Sequence, residues 1–394
     1  MSGPSTPVLP REPEFLDSDE QLESVWPELQ RCSILAIDTE MDSYHSYFDC
    51  VCLIQISTED RDLLLDPLSP SLSLDPLGEI FADESIVKIF HAGENDVKAL
   101  KREYDFEFRN LFDTHLVAQI LGYQRHGLAG LLAEYFDVHL DKKMQTSDWS
   151  QRPLTREQLI YAACDTHFLT KLRSQMLADL ERLGRVEEAQ SEFDRIVETE
   201  PARREFDPLG YLSIRGAKDI KPQALSVLRE LYLMRDARAR SLNCPPHRVL
   251  SDQVLIVLAR RRPRTREDLK RTRALSAWRS EDYGAEIIEA IARGRAAGPH
   301  GPIPKRHKRN DQSIALKPAE RKVFDRLRAW RVERAEQRGV DASRVATNRL
   351  LADIVRTDPR DLDELLEVPG MEPWRIREYG EEILSVVNGA RGSA

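Results

Sequence analysis

The chain has 394 residues, of which 41% are hydrophobic and 32% are charged, as expected for a globular protein with two or three domains. It contains no apolar run of roughly 18 residues, so we expect no membrane-spanning helix. The five cysteines include no pair of C-x-x-C motifs, which argues against a zinc site and favours reduced thiols in a cytoplasmic protein.

Charge is distributed unevenly along the chain. Residues 1–220 contain 22 basic and 42 acidic residues, a net charge of −20, whereas residues 221–394 contain 36 basic and 25 acidic residues, a net charge of +11. The basic half is a candidate for binding a polyanion. A solvated helical surface explains the same charge equally well, so both interpretations stay open.

The first two hundred residues have the pattern of an α/β domain. The opening "MSGPSTPVLPREPEF" has no apolar core, so we expect a disordered lead-in over residues 1–17. Short runs rich in Ile, Val and Leu predict strands at 33–39, 50–57, 62–65, 86–90 and, more weakly, 109–113. Apolar residues at helical spacing from about residue 94 onward predict helices, and hence a sheet flanked by helices.

The last third of the chain is an internal repeat. A shift of 96 residues places Arg235 on Arg331, and "YGAEI" at 283–287 on "YGEEI" at 379–383. This register predicts two copies of one small helical domain, joined by a basic segment rich in Pro and Gly. The predicted organisation is a lead-in at 1–17, an α/β domain at 18–205, helical domains at 206–297 and 318–394, and a linker at 298–317.

Several acidic residues lie where predicted elements begin or end. Asp38 and Glu40 end the strand "ILAIDTE" and, at positions i and i+2, point to the same face. Asp96 follows the turn at Gly93 and opens a helix, where an acid is also common for helix-dipole reasons. For Asp113, the helix that follows makes a capping role the better interpretation.

A later helix adds a tyrosine and a fourth acid. Thr155 and Gln158 form a predicted capping box, so the helix begins near residue 156. Tyr161 and Asp165 then lie at i and i+4 on one face. Four acids and a tyrosine from three elements are what two divalent cations about 4 Å apart require. Oxygen ligands favour Mg²⁺ or Mn²⁺.

These motifs resemble those of a known nuclease superfamily. "DTE", "HAGxxD" and "YxxxD" resemble the three exonuclease motifs of the DEDD superfamily, and the tyrosine indicates its DEDDy branch. The histidine branch would carry His where this chain has Ile160. The segment "LDKKMQTSDWSQRPLT" at 140–155 is similar to the ribonuclease D group, which includes the exosome-associated nuclear exonuclease. The helical repeats resemble HRDC domains, and the resemblance covers about residues 20 to 390.

The resemblance implies a fold, a site and an activity. The fold is ribonuclease H-like, a mixed sheet with flanking helices, followed by two all-α HRDC-like domains. Asp38, Glu40, Asp96 and Asp165 match the metal-binding acids, and Tyr161 matches the tyrosine that orients or activates the attacking water. The implied activity is metal-dependent 3′→5′ exoribonuclease action that releases nucleoside 5′-monophosphates. Expected substrates are tRNA precursors and other small structured RNA 3′ ends, and we expect a cytoplasmic monomer.

Contacts with RNA are harder to predict from the sequence. The candidates are Gln55, His91, Lys142, Gln145, Arg152, Arg235, Arg331, Lys305 and Arg306. A packed, hydrogen-bonded role competes for His91, and simple alternation along a strand competes for Gln55. Salt bridges within each helical domain compete for the paired arginines, and Trp149 is expected in the core.

Two other functions remain possible. A DNA exonuclease of the repair or proofreading type would use the same acids, and only contacts to the 2′-hydroxyl would favour RNA. A catalytically inactive nucleic-acid-binding protein is the second alternative. The complete set of acids argues against it.

Overall fold

A computed structural model describes residues 11–42, 47, 50–140, 143–201, 206–275, 281–301 and 316–391. The chain divides into two compact units. One unit contains the α/β domain up to Glu40 and from Val51 to Ala202, together with Lys308–Ala394. The other contains Met41–Cys50 and Arg203–His307. The second helical repeat therefore belongs to the same unit as the α/β domain.

In the described part of the chain, six strands form one mixed sheet. They are β1 (Glu14–Leu16), β2 (Ile34–Met41), β3 (Val51–Ser57), β4 (Asp62–Leu65), β5 (Val87–Phe90) and β6 (Leu111–Asp113). The strand order is β1-β4-β3-β2-β5-β6. The pairs β1/β4, β2/β5 and β5/β6 are parallel, whereas β3/β4 is antiparallel. Because β2, β5 and β6 are parallel, the residues that follow them meet at one edge of the sheet. The predicted mixed sheet is confirmed.

The first strand corrects the sequence prediction. Residues 14–16 lie within the predicted disordered lead-in, yet they form β1, paired with Leu63–Leu65 of β4. Arg11 also donates to the buried carboxylate of Asp62 at 2.8 Å. A three-residue strand has no detectable alternation, and it forms because β4 offers an open edge. Residues 1–10 lie outside the described part of the chain.

Eight helices pack around the sheet among the described residues. They are α1 (Asp19–Leu29), α2 (Leu77–Ala82), α3 (Glu94–Tyr104), α4 (Thr114–Leu121), α5 (Leu128–Phe136), α6 (Arg156–His167), α7 (Leu169–Leu183) and α8 (Val186–Glu198). The predicted capping box of α6 is present. The Thr155 hydroxyl accepts from the Gln158 N–H at 3.2 Å, and the Gln158 side chain accepts from the Thr155 N–H at 2.9 Å. The hydroxyls of Ser57 in β3 and Thr166 in α6 lie 2.7 Å apart, which fixes this helix against the sheet.

The first helical repeat surrounds a core of its own. Its helices are α9 (Pro222–Ser241), α10 (Pro246–Val249), α11 (Asp252–Arg261), α12 (Arg266–Arg271) and α13 (Gly284–Ala296). The long helices α9 and α13 pack closely at Gly294, where a Cβ atom would lie 2.5 Å from the Cα atom of Val227. Tyr47 also packs on this core, and its hydroxyl donates to Asp236 at 2.7 Å.

The second helical repeat reproduces the first in register. Its helices are α14 (Pro318–Arg338), α15 (Ala342–Val345), α16 (Asn348–Thr357), α17 (Leu362–Leu366) and α18 (Pro373–Arg391). The bounds of α15 and α16 lie 96 residues beyond those of α10 and α11, so the predicted repeat is confirmed in three dimensions. No described helix has the length and apolar character needed to cross a membrane.

The second repeat docks on α8 of the α/β domain. Arg338 lies 2.5 Å from Glu188, and the side chains of this pair are only 10% and 5% exposed. Arg344 forms a second ion pair with Glu192 at 3.2 Å. The first-repeat counterpart of Arg338 is Leu242, so the more buried pair is specific to the second copy.

Candidate metal centre and active site

Three carboxylates converge at the edge of the sheet. Oxygen atoms of Asp38, Glu40 and Asp165 all lie within 4.8 Å of one another. Asp38 and Glu40 share a face of β2, as their spacing predicts, and Asp165 comes from α6. Carboxylate oxygens are the ligands that hard divalent cations prefer, so the donor set fits such an ion.

Asp96 joins this cluster from the first turn of α3. It is 8% exposed, and it accepts a hydrogen bond from the hydroxyl of Thr39. Its charge also raises the pKa of Asp38, Glu40 and Asp165, so it lies within electrostatic range of all three. Sequence reasoning missed Thr39, although its position between the two strand acids was the available signal.

The acids are shielded from bulk solvent and repel one another: Asp96 is buried, and the other three acids are partly buried. Burial, followed by the neighbouring carboxylates, raises the pKa of Asp38 well above its usual range and the pKa of Glu40 to about 9. Burial is also the main cause that raises the pKa of Asp165 to about 7 and of Asp96 to about 6. A cation bound among these groups would offset the repulsion, because an opposite charge favours the ionised carboxylate.

Tyr161 completes the cluster one turn before Asp165. The carboxylate of Asp165 lies close enough to act electrostatically on the phenol of Tyr161. Burial and the nearby acids raise the pKa of Tyr161, so the phenol keeps its proton near neutral pH. Its ring lies 6.0 Å from the ring of Trp149, which is 2% exposed. The predicted core position of Trp149 is therefore confirmed.

Asp113 holds the turn that leads into α3. Its carboxylate caps α4 by accepting from the N–H groups of His115 at 2.8 Å and Leu116 at 3.0 Å. It also accepts from the N–H groups of Ala92 at 3.2 Å and Gly93 at 2.8 Å. The predicted capping role is confirmed. The same carboxylate also fixes the turn from which α3, the helix that carries Asp96, begins.

His91 and Gln55 are buried beside the sheet. The Nδ1 atom of His91 lies 2.9 Å from the Thr114 hydroxyl, and its ring packs edge-to-face on His115. Burial lowers the pKa of His91 to about 3, which keeps the ring neutral and favours the packed role. Gln55 is fully buried, and its amide has no hydrogen-bond partner among the described residues.

The paired arginines of the repeats do not face solvent. Arg235 donates to the backbone carbonyl of Leu250 at 3.1 Å, and Arg331 donates to the equivalent carbonyl of Ala346 at 2.9 Å. The two residues are 6% and 8% exposed. The expectation that they bind phosphate is wrong, because each guanidinium is used to join helices within its own domain.

Arg152 is likewise engaged within the protein. It bonds to the carboxylate of Asp66 at 2.8 Å and to the carbonyl of Cys52 at 2.7 Å, so it is not a free phosphate ligand. Gln145 is exposed, which leaves its predicted role open. Three further candidates lie outside the described residues: Lys142, Lys305 and Arg306.

Comparison with known proteins agrees with this geometry. A model of the 3′-5′ exonuclease domain matches residues 13–181, and the HRDC domain model matches residues 224–291 and 320–387. Ribonuclease D of Zymomonas mobilis is 32% identical over 365 residues, which make up 92% of this chain and 90% of that protein. The chain belongs to the ribonuclease D family. It is a 3′→5′ exoribonuclease, and its family and acidic cluster imply dependence on a divalent metal.

Solved structures with this fold include members of the same family. The crystal structure of ribonuclease D from Escherichia coli has a TM-score of 0.63 at 22% identity and covers 96% of this chain and 99% of that chain. The catalytic core of RRP6 from Trypanosoma brucei has a TM-score of 0.69 at 25% identity, with coverage of 76% and 84%. The ribonuclease H-like fold with helical HRDC domains is thus confirmed.

Proposed function

We propose that the acidic cluster binds two divalent cations, Mg²⁺ or Mn²⁺, and hydrolyses RNA stepwise from its 3′ end to nucleoside 5′-monophosphates. The observation that carries this proposal is the convergence of three partly buried carboxylates, whose oxygen atoms lie within 4.8 Å of one another. A bound cation would offset the mutual repulsion of these carboxylates. When bound, two cations would stabilise the attacking and departing oxygens of an in-line phosphoryl displacement.

The residues of the cluster would have different roles. Asp38, Glu40 and Asp165 would hold the metal, and Asp96 would add a fourth carboxylate from the neighbouring helix. Thr39 would orient Asp96 through the hydrogen bond that its hydroxyl donates. A hydrogen bond to an ionised carboxylate is stronger than one between neutral groups, so it can hold the Asp96 side chain in one orientation.

Tyr161 would position the attacking water. Its phenol lies beside Asp165, and the phenol oxygen would accept a hydrogen bond from that water. Because its pKa is raised, the phenol orients the water and does not itself remove a proton.

The proposed substrates are tRNA precursors and other small structured RNAs with 3′ extensions. The Escherichia coli relative is described as an exoribonuclease involved in structured RNA processing. We further propose a monomer in the reducing environment of the cytoplasm, since the five scattered cysteines form no disulfide framework in the sequence.

A direct assay tests this function. A 5′-labelled precursor tRNA with a 3′ extension should be shortened one nucleotide at a time in Mg²⁺, with nucleoside 5′-monophosphate as the product. Chelation should stop the reaction. A single-stranded DNA of matched sequence serves as the control, and equal rates on DNA and RNA would favour the DNA exonuclease alternative.

A further inference from the structure

Residues 260–273 of the first helical repeat form an unusually basic surface stretch. It covers the end of α11, the connecting turn and α12. Eight of its residues are basic and two, Glu267 and Asp268, are acidic. The basic residues are all exposed: Arg260, Arg261, Arg262, Arg264, Arg266, Lys270, Arg271 and Arg273.

Most of these cations are not used within the domain. Arg261 donates to the backbone carbonyl of Thr272 at 2.8 Å, and Arg271 lies 3.7 Å from Asp268. In the described part of the chain, the other six basic residues take part in no ion pair. Exposed cations without partners are available to a ligand, whereas Arg235 in the same repeat is buried and bonded.

The backbone beneath these cations is held firmly. Thr265 begins α12 with a capping box that it shares with Asp268. Leu269 is 1% exposed and packs into the core of the repeat, and Pro263 is also buried. The cations therefore project from a fixed scaffold, which reduces the entropy lost when a ligand binds.

The second repeat shows that the fold does not require this charge. The equivalent residues 356–369 keep the buried positions as Pro359 and Leu365 but contain two basic and five acidic residues. The net charge of the stretch changes from +6 in the first copy to −3 in the second. Helix-dipole effects would favour basic residues at the end of both equivalent helices, so they do not explain the difference.

We propose that residues 260–273 bind the phosphate backbone of the RNA substrate, at phosphates other than the one being cleaved. This inference rests on the proposed function, because it takes RNA as the polyanion. Unpaired arginines and lysines on a short surface stretch suit a ligand with regularly spaced charges. Such contacts position the RNA without reading its sequence.

The test compares two triple variants of the full-length chain. The first, Arg264→Gln/Arg266→Gln/Lys270→Gln, removes three exposed cations from the stretch. The matched control, Arg321→Gln/Lys322→Gln/Arg328→Gln, removes three exposed cations from α14 of the second repeat. Fluorescence anisotropy measures binding of a labelled single-stranded RNA of about 30 nucleotides across NaCl concentrations, in EDTA so that no cleavage occurs.

The first variant should bind this RNA more weakly, and its salt slope should fall by about 2, since each lost single-strand phosphate contact removes about 0.7. The control should bind like the wild type. Hydrolysis of a trinucleotide should be unchanged in both variants, because it offers too few phosphates to occupy three cations. Equal melting temperatures would show that the variants are folded.

An unchanged salt slope and affinity in the first variant would overturn this inference, and the stretch would then be tested as a surface for an acidic protein. An equal loss in both variants would also overturn it, because net charge alone would be responsible. Failure of the wild type to shorten RNA in Mg²⁺ would instead contradict the proposed function. The two failures are distinguishable because binding is measured without catalysis.

Discussion

Asp165 lies one helical turn beyond Tyr161 on α6, and after burial its carboxylate is the largest cause that raises the pKa of the Tyr161 phenol. This proximity links the tyrosine to a residue that also lies within the three-carboxylate cluster. Helix geometry alone brings the two side chains together, but only packing of α6 on the sheet directs both toward Asp38 and Glu40. The tyrosine is thereby placed beside the proposed metal centre.

Replacing Tyr161 by Phe tests the water-positioning role. The ring can keep its packing against Trp149, while the hydroxyl is lost. We expect kcat to fall by roughly 10²-fold, the scale of a lost positioning or proton-transfer contact, with KM little changed. Single-turnover and steady-state kinetics on a labelled RNA measure both parameters. A raised KM with normal kcat would make Tyr161 a substrate-binding residue.

Replacing an acid of the cluster should lower activity but raise the stability of the metal-free protein. Asp38→Asn and Asp165→Asn should each lower kcat by at least about 10³-fold, through the loss of several kcal/mol of charge stabilisation. Each should also raise the melting temperature in EDTA, because one of several mutually repelling charges is removed. Asp60→Asn, at an exposed site, is the control for both measurements. Near wild-type turnover in either cluster variant would contradict the metal assignment.

Stability should depend on pH in a direction set by the raised pKa values. Glu40 and Asp165 have pKa values of about 9 and 7 in the folded chain, against ordinary values of 4.5 and 3.8. Between the ordinary pKa values near 4 and the raised value of about 9, these carboxylates bind more protons in the folded chain than in the unfolded chain. The free energy of unfolding therefore falls as pH rises from about 4 to about 9.

Divalent metal should reduce this loss, because the ion competes with protons for the same carboxylates. Thermal unfolding between pH 5 and pH 9, in EDTA and in saturating Mn²⁺, measures the effect. We expect a steeper decline in EDTA, and calorimetry should detect proton release when Mn²⁺ binds near pH 6.5. Identical pH profiles with and without metal would argue against binding at the cluster.

Thr39 should act as a positioning residue. Thr39→Val keeps the shape of the side chain but removes the hydroxyl that donates to Asp96. A hydrogen bond to a charged group contributes about 1.5–3 kcal/mol, so kcat should fall by roughly 10- to 100-fold. Thr39→Ser keeps the hydroxyl and should retain most of the activity. The metal concentration needed for half-maximal rate should rise in the valine variant alone, and an unchanged value would refute the role.

The docking of the second repeat should be sensitive to its buried ion pair. Arg338→Met leaves Glu188 buried without a partner and should destabilise the protein by about 3–5 kcal/mol. Adding Glu188→Leu should recover part of this loss, and a double-mutant cycle measures the coupling. Arg377→Ala is the control, because its pair with Glu187 is largely exposed and should contribute about 0–1 kcal/mol. Equal effects of the two arginine variants would show that the docked face is not buried in solution.

Features that depend on neighbours along the chain followed from the sequence alone. The alternation of a strand places Asp38 and Glu40 on one face, and helical spacing places Tyr161 one turn before Asp165. The capping box at Thr155 is equally local. The repeat at a spacing of 96 residues predicts the two helical domains from the sequence alone. Such patterns can be read because backbone periodicity and short-range hydrogen bonds determine them.

Features that depend on residues distant in sequence needed the tertiary structure. The strand at 14–16 forms only because β4 offers it an edge, and Thr39 meets Asp96, which lies 57 positions further along the chain. Arg235 resembled a phosphate ligand until its burial was known. Sequence gives the type of a charged group, but folding decides whether that group is desolvated, paired or exposed, and these conditions determine its pKa and its availability to a ligand.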